Sequence, residues 1–463
     1  MSSSITVSRF SPVKLTPKRP GYSPVSSPLL YSQAGVGNPN VPTSRFYETQ
    51  PGFGSRHIAD DAPFTLWNST DSVFRTPSDA EWAWIQKRFR ASKIFLEFPD
   101  IIITTDVPQA QPIPLTVAGC LARFVPPDVA LLTVLPLGQF RPYGSANRDI
   151  FPFPIPRFRF PTLKQRSAIV DALQEEVNIR AIHFVPPLII VELSVTDGRG
   201  YARRSLLGKA GGLNIMYHHS EESFWSQPHE ASYTRLITPT AAADDNTNYL
   251  YTEPFTVSPG VCISSPTHPN GMPGMSTSAG VLLQRGLERR LTVANHGFQH
   301  SSEVFHPEPT SGRRIGQIRL RLPPHDIALA ELDPSITFDN QRYFEAPNPQ
   351  RLVHHTEIQA GDWFECDGMS TGRIDLCARG LGAFYPQRDY HPNIKIPYVN
   401  WNIELQFSAF GILGVGVKDG ICGAPLVDDN GRVAGMFRFI DNIGHFAATA
   451  SMDLLIHQGW AVV

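Results

Sequence analysis

The sequence predicts a mainly β protein in which an antiparallel β-barrel region follows an α+β region. The chain contains 42 prolines and 35 glycines in 463 residues, and this proline usage is about twice the usual ~5%. From residue 256 to residue 463, short alternating strands recur between Gly, Pro, Asn and Asp clusters, as in antiparallel barrels. Earlier residues instead mix helical and strand periodicity.

Three parts follow from this pattern. Residues 1–70 are rich in Ser, Pro, Gly and Asn without sustained periodicity, which predicts a disordered tail. Residues 71–255 form the predicted α+β domain, and no motif in it indicates a role. It contains two predicted helices, one starting at Thr76–Asp79 with Thr76 as its cap and one over about Thr162–Asn178, and strand-like runs at 101–105, 129–137 and 188–195. Residues 256–463 form the predicted barrel domain.

Composition excludes several classes of function. The formal net charge is −2 and the pI is near 6.7, so no basic face for nucleic acid is expected. The apolar runs are of strand length, and the N-terminus lacks the apolar core of a signal peptide, so neither a membrane span nor secretion is expected. Five cysteines without a C-x-x-C pair predict free thiols in a reducing, cytoplasmic setting, with no metal or cofactor. The expected partner is a polypeptide substrate or a protein.

Two segments in the C-terminal part present a histidine and an aspartate at strand ends. The run Leu291–Ala294 reads as a strand that delivers His296 at its terminus. Asp326 opens the run Ile327–Leu332, in which Ile327 and Leu329 alternate with alanines. The gap between His296 and Asp326 leaves room for one intervening hairpin. Both side chains are candidate acid–base groups.

Cys422 lies on a predicted tight turn in the segment Asp419–Val427. Its flanking glycines avoid side chains that would block the backbone of a substrate. The N–H groups of Gly420 and Cys422 would then converge on a developing oxyanion, which is usually the largest catalytic term in acyl transfer. The sequence therefore predicts a nucleophile and an oxyanion hole in this turn.

In this chain order, the three motifs resemble those of the chymotrypsin–trypsin peptidase superfamily. Asp326-Ile-Ala-Leu is similar to the aspartate motif, and Gly420-Ile-Cys-Gly-Ala-Pro425 resembles the nucleophile motif with cysteine in place of serine. That replacement is similar to the picornaviral cysteine peptidases, which share the two-barrel fold. A long N-terminal region before a degenerate trypsin-like domain also resembles uncharacterised proteins of filamentous fungi. The resemblance covers the C-terminal part only.

The resemblance implies a double six-stranded antiparallel β-barrel and a peptidase with a cysteine nucleophile. His296 is the implied general base and later general acid, Asp326 fixes its tautomer, and Cys422 attacks the carbonyl to form a thioester. Ile421 stands where secreted trypsins carry the aspartate that receives the new N-terminus, so activation by that route is not expected. Asn295 replaces the usual small residue before the histidine.

The resemblance also places a primary specificity pocket at Phe437, Arg438, Phe439 and His445. Arg438 and His445 would favour acidic or polar substrate side chains there, with a solvated arginine as the equal alternative. Two other functions stay open: a non-catalytic protein-binding module with an inert Cys422, and self-processing within the linker between Trp225 and Pro259.

Other clusters are interpreted as structural. His218-His219, which precedes Glu221 and Glu222, and His354-His355 are not expected to bind metal, because adjacent residues on a strand point to opposite faces. Cys366 and Cys377 lie on probable neighbouring strands and are interpreted as buried free thiols rather than a disulfide.

Overall fold

The computed structural model describes eighteen segments of the chain: residues 62–68, 73–97, 100–105, 116–125, 145–149, 159–186, 188–193, 206–218, 249–250, 256–266, 274–307, 309–310, 312–369, 371–386, 395–410, 417, 419–441 and 446–463. Most of the predicted tail, the run at 129–137 and most of the predicted linker lie outside these residues. Helices and strands are numbered below in chain order.

The region before residue 256 contains two helices and eleven strands among its described residues. They are β1 (Trp67–Asn68), β2 (Val73–Phe74), α1 (Asp79–Phe89), β3 (Lys93–Glu97), β4 (Asp100–Thr104), β5 (Thr116–Val117), β6 (Cys120–Val125), β7 (Ser145–Asp149), α2 (Leu163–Gln174), β8 (Ile179–Val185), β9 (Leu188–Leu193), β10 (Leu207–Ala210) and β11 (Leu213–His218).

Both helices begin at capping boxes. Ser78 caps α1: its hydroxyl accepts from the Glu81 N–H at 3.4 Å, and the Glu81 carboxylate accepts from the Ser78 N–H at 2.8 Å. The prediction of Thr76 as the cap is therefore wrong by two residues, because the reciprocal pair satisfies more backbone donors than Thr76 can reach. Thr162 caps α2 as predicted, with Gln165 as its reciprocal partner. The helix ends at Gln174, short of the predicted Asn178.

A four-stranded sheet in the order β3-β4-β6-β5 packs against α1. Its core includes Leu66, which is fully buried and whose N–H donates to the Ala118 carbonyl at 2.8 Å. Residues 62–68 thus belong to the folded part of the chain, whereas the sequence predicts that they belong to the disordered tail because the surrounding residues are polar.

The region from residue 256 contains eighteen strands and one α-helix among its described residues. They are β12 (Thr256–Val257), β13 (Cys262–Ser264), β14 (Ser276–Ser278), β15 (Leu282–Arg285), β16 (Glu288–Ala294), β17 (Glu303–His306), β18 (Arg313–Leu322), β19 (Ile327–Leu332), β20 (Thr337–Phe338), β21 (Arg351–Leu352), β22 (Trp363–Gly368), β23 (Gly372–Phe384), β24 (Asn402–Phe410), β25 (Pro425–Val427), β26 (Arg432–Met436), β27 (Phe439–Asp441), β28 (Phe446–Ala450), α3 (Asp453–His457) and β29 (Ala461–Val462).

The first barrel closes through a bent segment that contains β14 and β15. Antiparallel pairing runs from β13 through β17, β18, β19 and β16 to β15, and β14 pairs with the other side of β13. At the bend, the Ala279 N–H donates to the Val261 carbonyl at 2.8 Å and the Gly280 N–H donates to the Thr292 carbonyl at 2.9 Å. The segment therefore joins both edges of the sheet, and the cylinder has six strands when β14 and β15 count as one.

The second barrel closes in the same way. Strands β25, β22, β23, β24 and β28 pair antiparallel in that order. The segment that contains β26 and β27 bends so that β26 pairs with β25 and β27 pairs with β28. The predicted fold class, a mainly β chain with two six-stranded antiparallel barrels after an α+β region, is confirmed by this pairing and is consistent with a trypsin-like fold.

The α+β region and the second barrel share one sheet and one core. Strand β8 pairs antiparallel with the end of β23, and β9, β11, β10 and β7 extend the sheet from there. Helix α2 contributes Ile169, Val170 and Leu173 to the core that also contains Phe364 and Phe407 of the second barrel. Strand pairing thus crosses the boundary drawn at residue 255, and that boundary stays a prediction.

The two barrels meet along a separate apolar cluster. Ile327 and Leu329 of the first barrel pack there against Val433 and Met436 of the second. The turns that carry His296 and Asp326 belong to the first barrel, the turn that carries Cys422 belongs to the second, and Ser278 bonds to the Cys422 turn from the first barrel.

Candidate active site

His296 lies in a short 3-10 turn, Asn295–Phe298, directly after β16. The turn is attached to the residue before β19 by two hydrogen bonds: the His296 N–H donates to Asp326 Oδ1 at 2.8 Å, and the Asn295 N–H donates to the Asp326 carbonyl at 2.9 Å. His296 is buried, with 6% of its surface exposed. Its backbone is therefore fixed by the residue that also contacts its ring.

Asp326 follows a second 3-10 turn, Pro323–His325, and has a positive φ of 53°. Aspartate is one of the few side chains that tolerates this left-handed conformation. Asp326 Oδ2 accepts a hydrogen bond from His296 Nδ1 at 2.6 Å. The carboxylate therefore engages both the backbone and the ring of His296, and it leaves Nε2 for another partner.

Cys422 lies in a turn formed by residues with unusual backbone angles. Gly420 and Gly423 have φ values of 108° and 95°, which side-chain-bearing residues rarely adopt. A Cβ atom on Gly423 would lie 2.3 Å from the Ser278 carbonyl oxygen, so glycine is also required sterically. The Cys422 side chain is partly exposed, unlike the other four cysteines, which are buried.

Ser278 of the first barrel holds this turn by hydrogen bonds. Nothing in the sequence indicates that Ser278 contributes to the site. The Ser278 N–H donates to the Cys422 carbonyl at 2.8 Å, and its hydroxyl donates to the Gly420 carbonyl at 2.9 Å while accepting from the Met369 N–H. These bonds bring the Cys422 turn of the second barrel to the first barrel, which carries His296.

The imidazole of His296 is hydrogen-bonded to the side chain of Asp326, and Cys422 is close enough to raise its pKa. Burial lowers its pKa, but the charge and hydrogen bond of Asp326, together with those of Cys422, outweigh burial and raise the pKa to about 10. His296 and Asp326 are therefore in direct contact, Cys422 is near enough to affect the pKa of the ring, and the triad of the three stays a prediction. This geometry favours an imidazolium over a neutral ring.

One of the two predicted oxyanion donors, the Cys422 N–H, is oriented by a hydrogen bond of the neighbouring carbonyl. The Ile421 carbonyl accepts from the Ala424 N–H at 3.0 Å, which turns the peptide N–H of Cys422 the opposite way. Within the described residues, neither the Gly420 N–H nor the Cys422 N–H has an intramolecular acceptor. The oxyanion hole formed by these two donors stays a prediction.

The two departures noted in the sequence have structural explanations. Ile421 is buried in the core of the second barrel, so apolar packing fixes the turn where an ion pair would otherwise do so. Asn295 Oδ1 accepts from Arg321 Nη1 at 3.1 Å, and Arg321 Nη2 also donates to the Phe298 and Ser301 carbonyls, each at 2.7 Å. Arg321 therefore holds the histidine turn, and Asn295 provides one of its three hydrogen-bond acceptors there.

The predicted specificity-pocket residues have different surroundings. Phe437 is buried, and its backbone bonds to both Ala424 and Gly423 beside the nucleophile turn. Phe439 is partly exposed at the start of β27, and His445 lies outside the described residues. Arg438 ion-pairs with Glu404 and has Nε 4.0 Å from Asp326 Oδ2. Its guanidinium therefore faces the aspartate, and it is not the solvated arginine of the alternative interpretation.

A second cluster of ionisable residues lies at α3. His354, His355 and Asp453 place ligand atoms within 4.8 Å of one another, the one such group among the described residues. The strand argument against a metal is wrong for this pair, because the two histidines lie in a turn and their ring centroids are 5.0 Å apart. However, His355 Nδ1 bonds to Asp453 and Nε2 lies 2.9 Å from Arg166 Nη2. Both ring nitrogens of His355 are engaged by protein groups.

The other cysteines and histidines considered in the sequence lie on β22, β23 and β11 or outside the described residues. Cys366 on β22 and Cys377 on β23 are both free thiols, as predicted, and occupy different register positions of the paired strands. His218 ends β11, while His219, Glu221 and Glu222 lie outside the described residues. Within the described part of the chain, no helix is long and apolar enough to cross a membrane.

No protein-family model matches the chain, and no curated protein matches it. Among solved structures, a glutamic-acid-specific serine protease is similar at 13% identity over 45% of this chain and 100% of that chain, with a TM-score of 0.33. Protease A of Thermobifida fusca is similar at 14% identity over 45% of this chain and 98% of that chain, with a TM-score of 0.30. This likeness assigns no function to the chain, so the function is argued from the geometry of the site alone.

Proposed function

We propose that this protein is a cysteine endopeptidase of the trypsin-like fold, which hydrolyses peptide bonds with Cys422, His296 and Asp326. The observation that carries the proposal is the position of one imidazole between a carboxylate and a thiol. His296 Nδ1 lies 2.6 Å from Asp326 Oδ2, and Cys422 is close enough to raise the pKa of the same ring. A nucleophile, a base and a group that orients the base are the parts that covalent acyl transfer needs.

The first half of the proposed reaction forms a thioester. In the resting site His296 is an imidazolium that holds the proton of the Cys422 thiol on Nε2, and the thiolate attacks the peptide carbonyl carbon. The carbonyl oxygen gains negative charge and is stabilised by the N–H groups of Gly420 and Cys422. As the tetrahedral intermediate collapses, His296 returns the proton to the leaving amine and the C–N bond breaks.

The second half releases the acid product. Water replaces the amine in the site, His296 Nε2 takes a proton from it, and the hydroxide attacks the thioester carbon. The C–S bond breaks, and the thiolate of Cys422 is regenerated against the imidazolium. Asp326 keeps Nδ1 protonated throughout, so that Nε2 is the nitrogen that exchanges protons.

A reducing, cytoplasmic setting is part of the proposal. All five cysteines are free, and four of them are buried. A partly exposed thiol that must act as a thiolate keeps its activity where disulfides and sulfenic acids are reduced. A polypeptide is the substrate that this chemistry requires.

The test is cleavage of a defined peptide mixture by the full-length protein, with products identified by mass spectrometry. Cys422→Ala and His296→Gln should each lower hydrolysis by at least about a thousand-fold, because the members of a triad act as a unit. Cys377→Ala is the matched control, since it removes a buried thiol on β23 and should retain activity.

Three outcomes separate the alternatives. Activity that persists in folded Cys422→Ala contradicts the proposal. A folded wild-type protein that cleaves nothing, itself included, would instead favour a binding module. Cleavage confined to residues 225–259 of its own chain, and lost in Cys422→Ala, would restrict the same chemistry to self-processing.

A further inference from the structure

Arg438 contacts the proposed site with its backbone and with its side chain. The segment between β26 and β27 places the Arg438 carbonyl oxygen 3.3 Å from Cys422 Sγ, close enough to accept the thiol hydrogen. Its side chain, 17% exposed, extends toward the first barrel, where Nε lies 4.0 Å from Asp326 Oδ2. One residue therefore reaches both ends of the triad without lying in it.

Glu404 on β24 holds the guanidinium in this position. Arg438 Nη1 ion-pairs with Glu404 Oε1, and the Glu404 side chain is only 10% exposed. Glu404 belongs to the second barrel and Asp326 to the first, so the guanidinium lies between two carboxylates from different barrels. Because a guanidinium stays protonated at any accessible pH, its charge there is permanent.

Asp326 Oδ2 is the oxygen that faces both Arg438 and His296. It accepts from His296 Nδ1 at 2.6 Å and lies 4.0 Å from Arg438 Nε. The positive charge of Arg438 opposes the positive charge of the His296 imidazolium, whereas the negative charge of Glu404 reduces this effect. His325, on the same turn as Asp326, also senses this charge: burial lowers its pKa first and Arg438 lowers it further.

We propose that Arg438, held by Glu404, is a positioning residue of the site: its guanidinium faces the Asp326 carboxylate and opposes the charge on His296, and its carbonyl orients the side chain of Cys422. This inference rests on the proposed function, which defines the triad that Arg438 serves. It also reassigns Arg438 from substrate recognition to support of the triad.

The two charged residues should shift the titration of His296 in opposite directions. Arg438→Gln removes the opposing positive charge, so the pKa of His296 should rise. Glu404→Gln leaves the positive charge of Arg438 uncompensated, so the pKa of His296 should fall. If Arg438 and Glu404 only packed in the structure, their two substitutions would not shift the pKa of His296 in opposite directions.

The experiment is an NMR titration of the ring carbons of labelled histidine in full-length protein. A Cys422→Ala background removes the coupled titration of the thiol. Each single variant should shift the His296 midpoint by about one pH unit, as expected for a charge a few ångströms from the pair. Arg319→Gln is the matched control, because it removes one guanidinium from a surface pair with Glu331 and should leave the midpoint unchanged.

The double variant keeps the test decisive if Glu404→Gln does not fold. Its midpoint should lie below that of Arg438→Gln, because both charges are then absent. Equal midpoints in the wild-type and Arg438→Gln proteins, or shifts of the same sign in both single variants, would overturn the inference. Shifts of opposite sign support it even if wild-type Cys422 proves unreactive, in which case only the proposed function fails.

Discussion

The described residues include two histidine–aspartate pairs with the same local geometry and different surroundings. In the first, the His296 N–H and Nδ1 contact the two carboxylate oxygens of Asp326 at 2.8 and 2.6 Å. In the second, the His355 N–H donates to Asp453 Oδ1 at 2.9 Å and Nδ1 contacts Oδ2. Both histidines lie in short 3-10 turns. An oriented imidazole is therefore a local feature that this chain builds twice.

The two pairs differ in what lies beside the ring of each histidine on the side away from its aspartate. His296 meets the thiol of Cys422, whereas His355 Nε2 lies 2.9 Å from Arg166 Nη2. A guanidinium only donates, so Nε2 of His355 must accept and that ring is neutral. Burial lowers the pKa of His355, and Arg166 and His354 lower it further against the opposing effect of Asp453. The same local geometry thus raises the pKa of the ring in one pair and accompanies a lowered pKa in the other.

The second pair has a structural consequence of its own. Arg166 is fully buried on α2, and its Nη1 also donates to the Tyr398 hydroxyl at 3.1 Å. Asp453 belongs to α3 near the C-terminus, so three distant parts of the chain meet at His355. The pair that resembles a catalytic dyad in geometry therefore ties the α+β region to the second barrel.

The largest expected contrast is between the two aspartates. Asp326→Asn should reduce kcat/KM by about four orders of magnitude, because the amide holds the wrong tautomer of His296. Asp453→Asn should leave kcat/KM near the wild-type value and lower stability instead. Peptide-cleavage kinetics on both variants, with folding checked by circular dichroism, make the comparison. Comparable losses of activity in both would show that the pairs do not differ in role.

A smaller effect is expected from the partner of the second pair. Arg166→Leu removes hydrogen bonds to His355 and Tyr398 in a buried setting, and should lower the free energy of unfolding by about 2–3 kcal/mol. Urea denaturation measures this change. Arg319→Leu on the barrel surface is the control and should change stability by less than about 1 kcal/mol. An unchanged midpoint for Arg166→Leu would mean that the second pair does not hold the region together.

The smallest contrast lies in the pH dependence of stability. The folded-state pKa of His296 is raised from 6.5 to about 10, so its stabilisation is complete below about pH 6.5 and is lost as pH rises through 10. The pKa of His355 is lowered, so its stabilisation is present above 6.5 and is lost as pH falls. The stability deficit of His296→Gln should shrink toward alkaline pH and that of His355→Gln toward acidic pH. Deficits that change in parallel would contradict this assignment.

The comparison also shows what the sequence can predict. The alternation from Ile327 is real: Ile327 and Leu329 pack between the barrels, while Ala328 and Ala330 line the first barrel. Period-two patterning specifies such faces locally. The glycines around Cys422 predict a turn for the same reason, since only a few residues adopt its backbone angles.

Contacts between distant segments could not be predicted in this way. Glu404 and Arg438 meet because β24 and β27 both pair with β28, and no local pattern records that register. His354 and His355 read as a strand pair, yet they lie in a turn whose partner, Asp453, is 98 residues away. The pairing of β8 with β23 likewise depends on a free sheet edge rather than on either strand's composition.

The pairing of His296 with Cys422 is tested most directly by the rate of iodoacetamide alkylation at Cys422 across pH. Mass spectrometry would follow each cysteine in the wild-type, His296→Gln and His355→Gln proteins. Fast labelling of Cys422 at neutral pH, lost in His296→Gln and retained in His355→Gln, is the expected result. Labelling of Cys422 that is slow at neutral pH and unaffected by His296→Gln would contradict an activated thiolate–imidazolium pair.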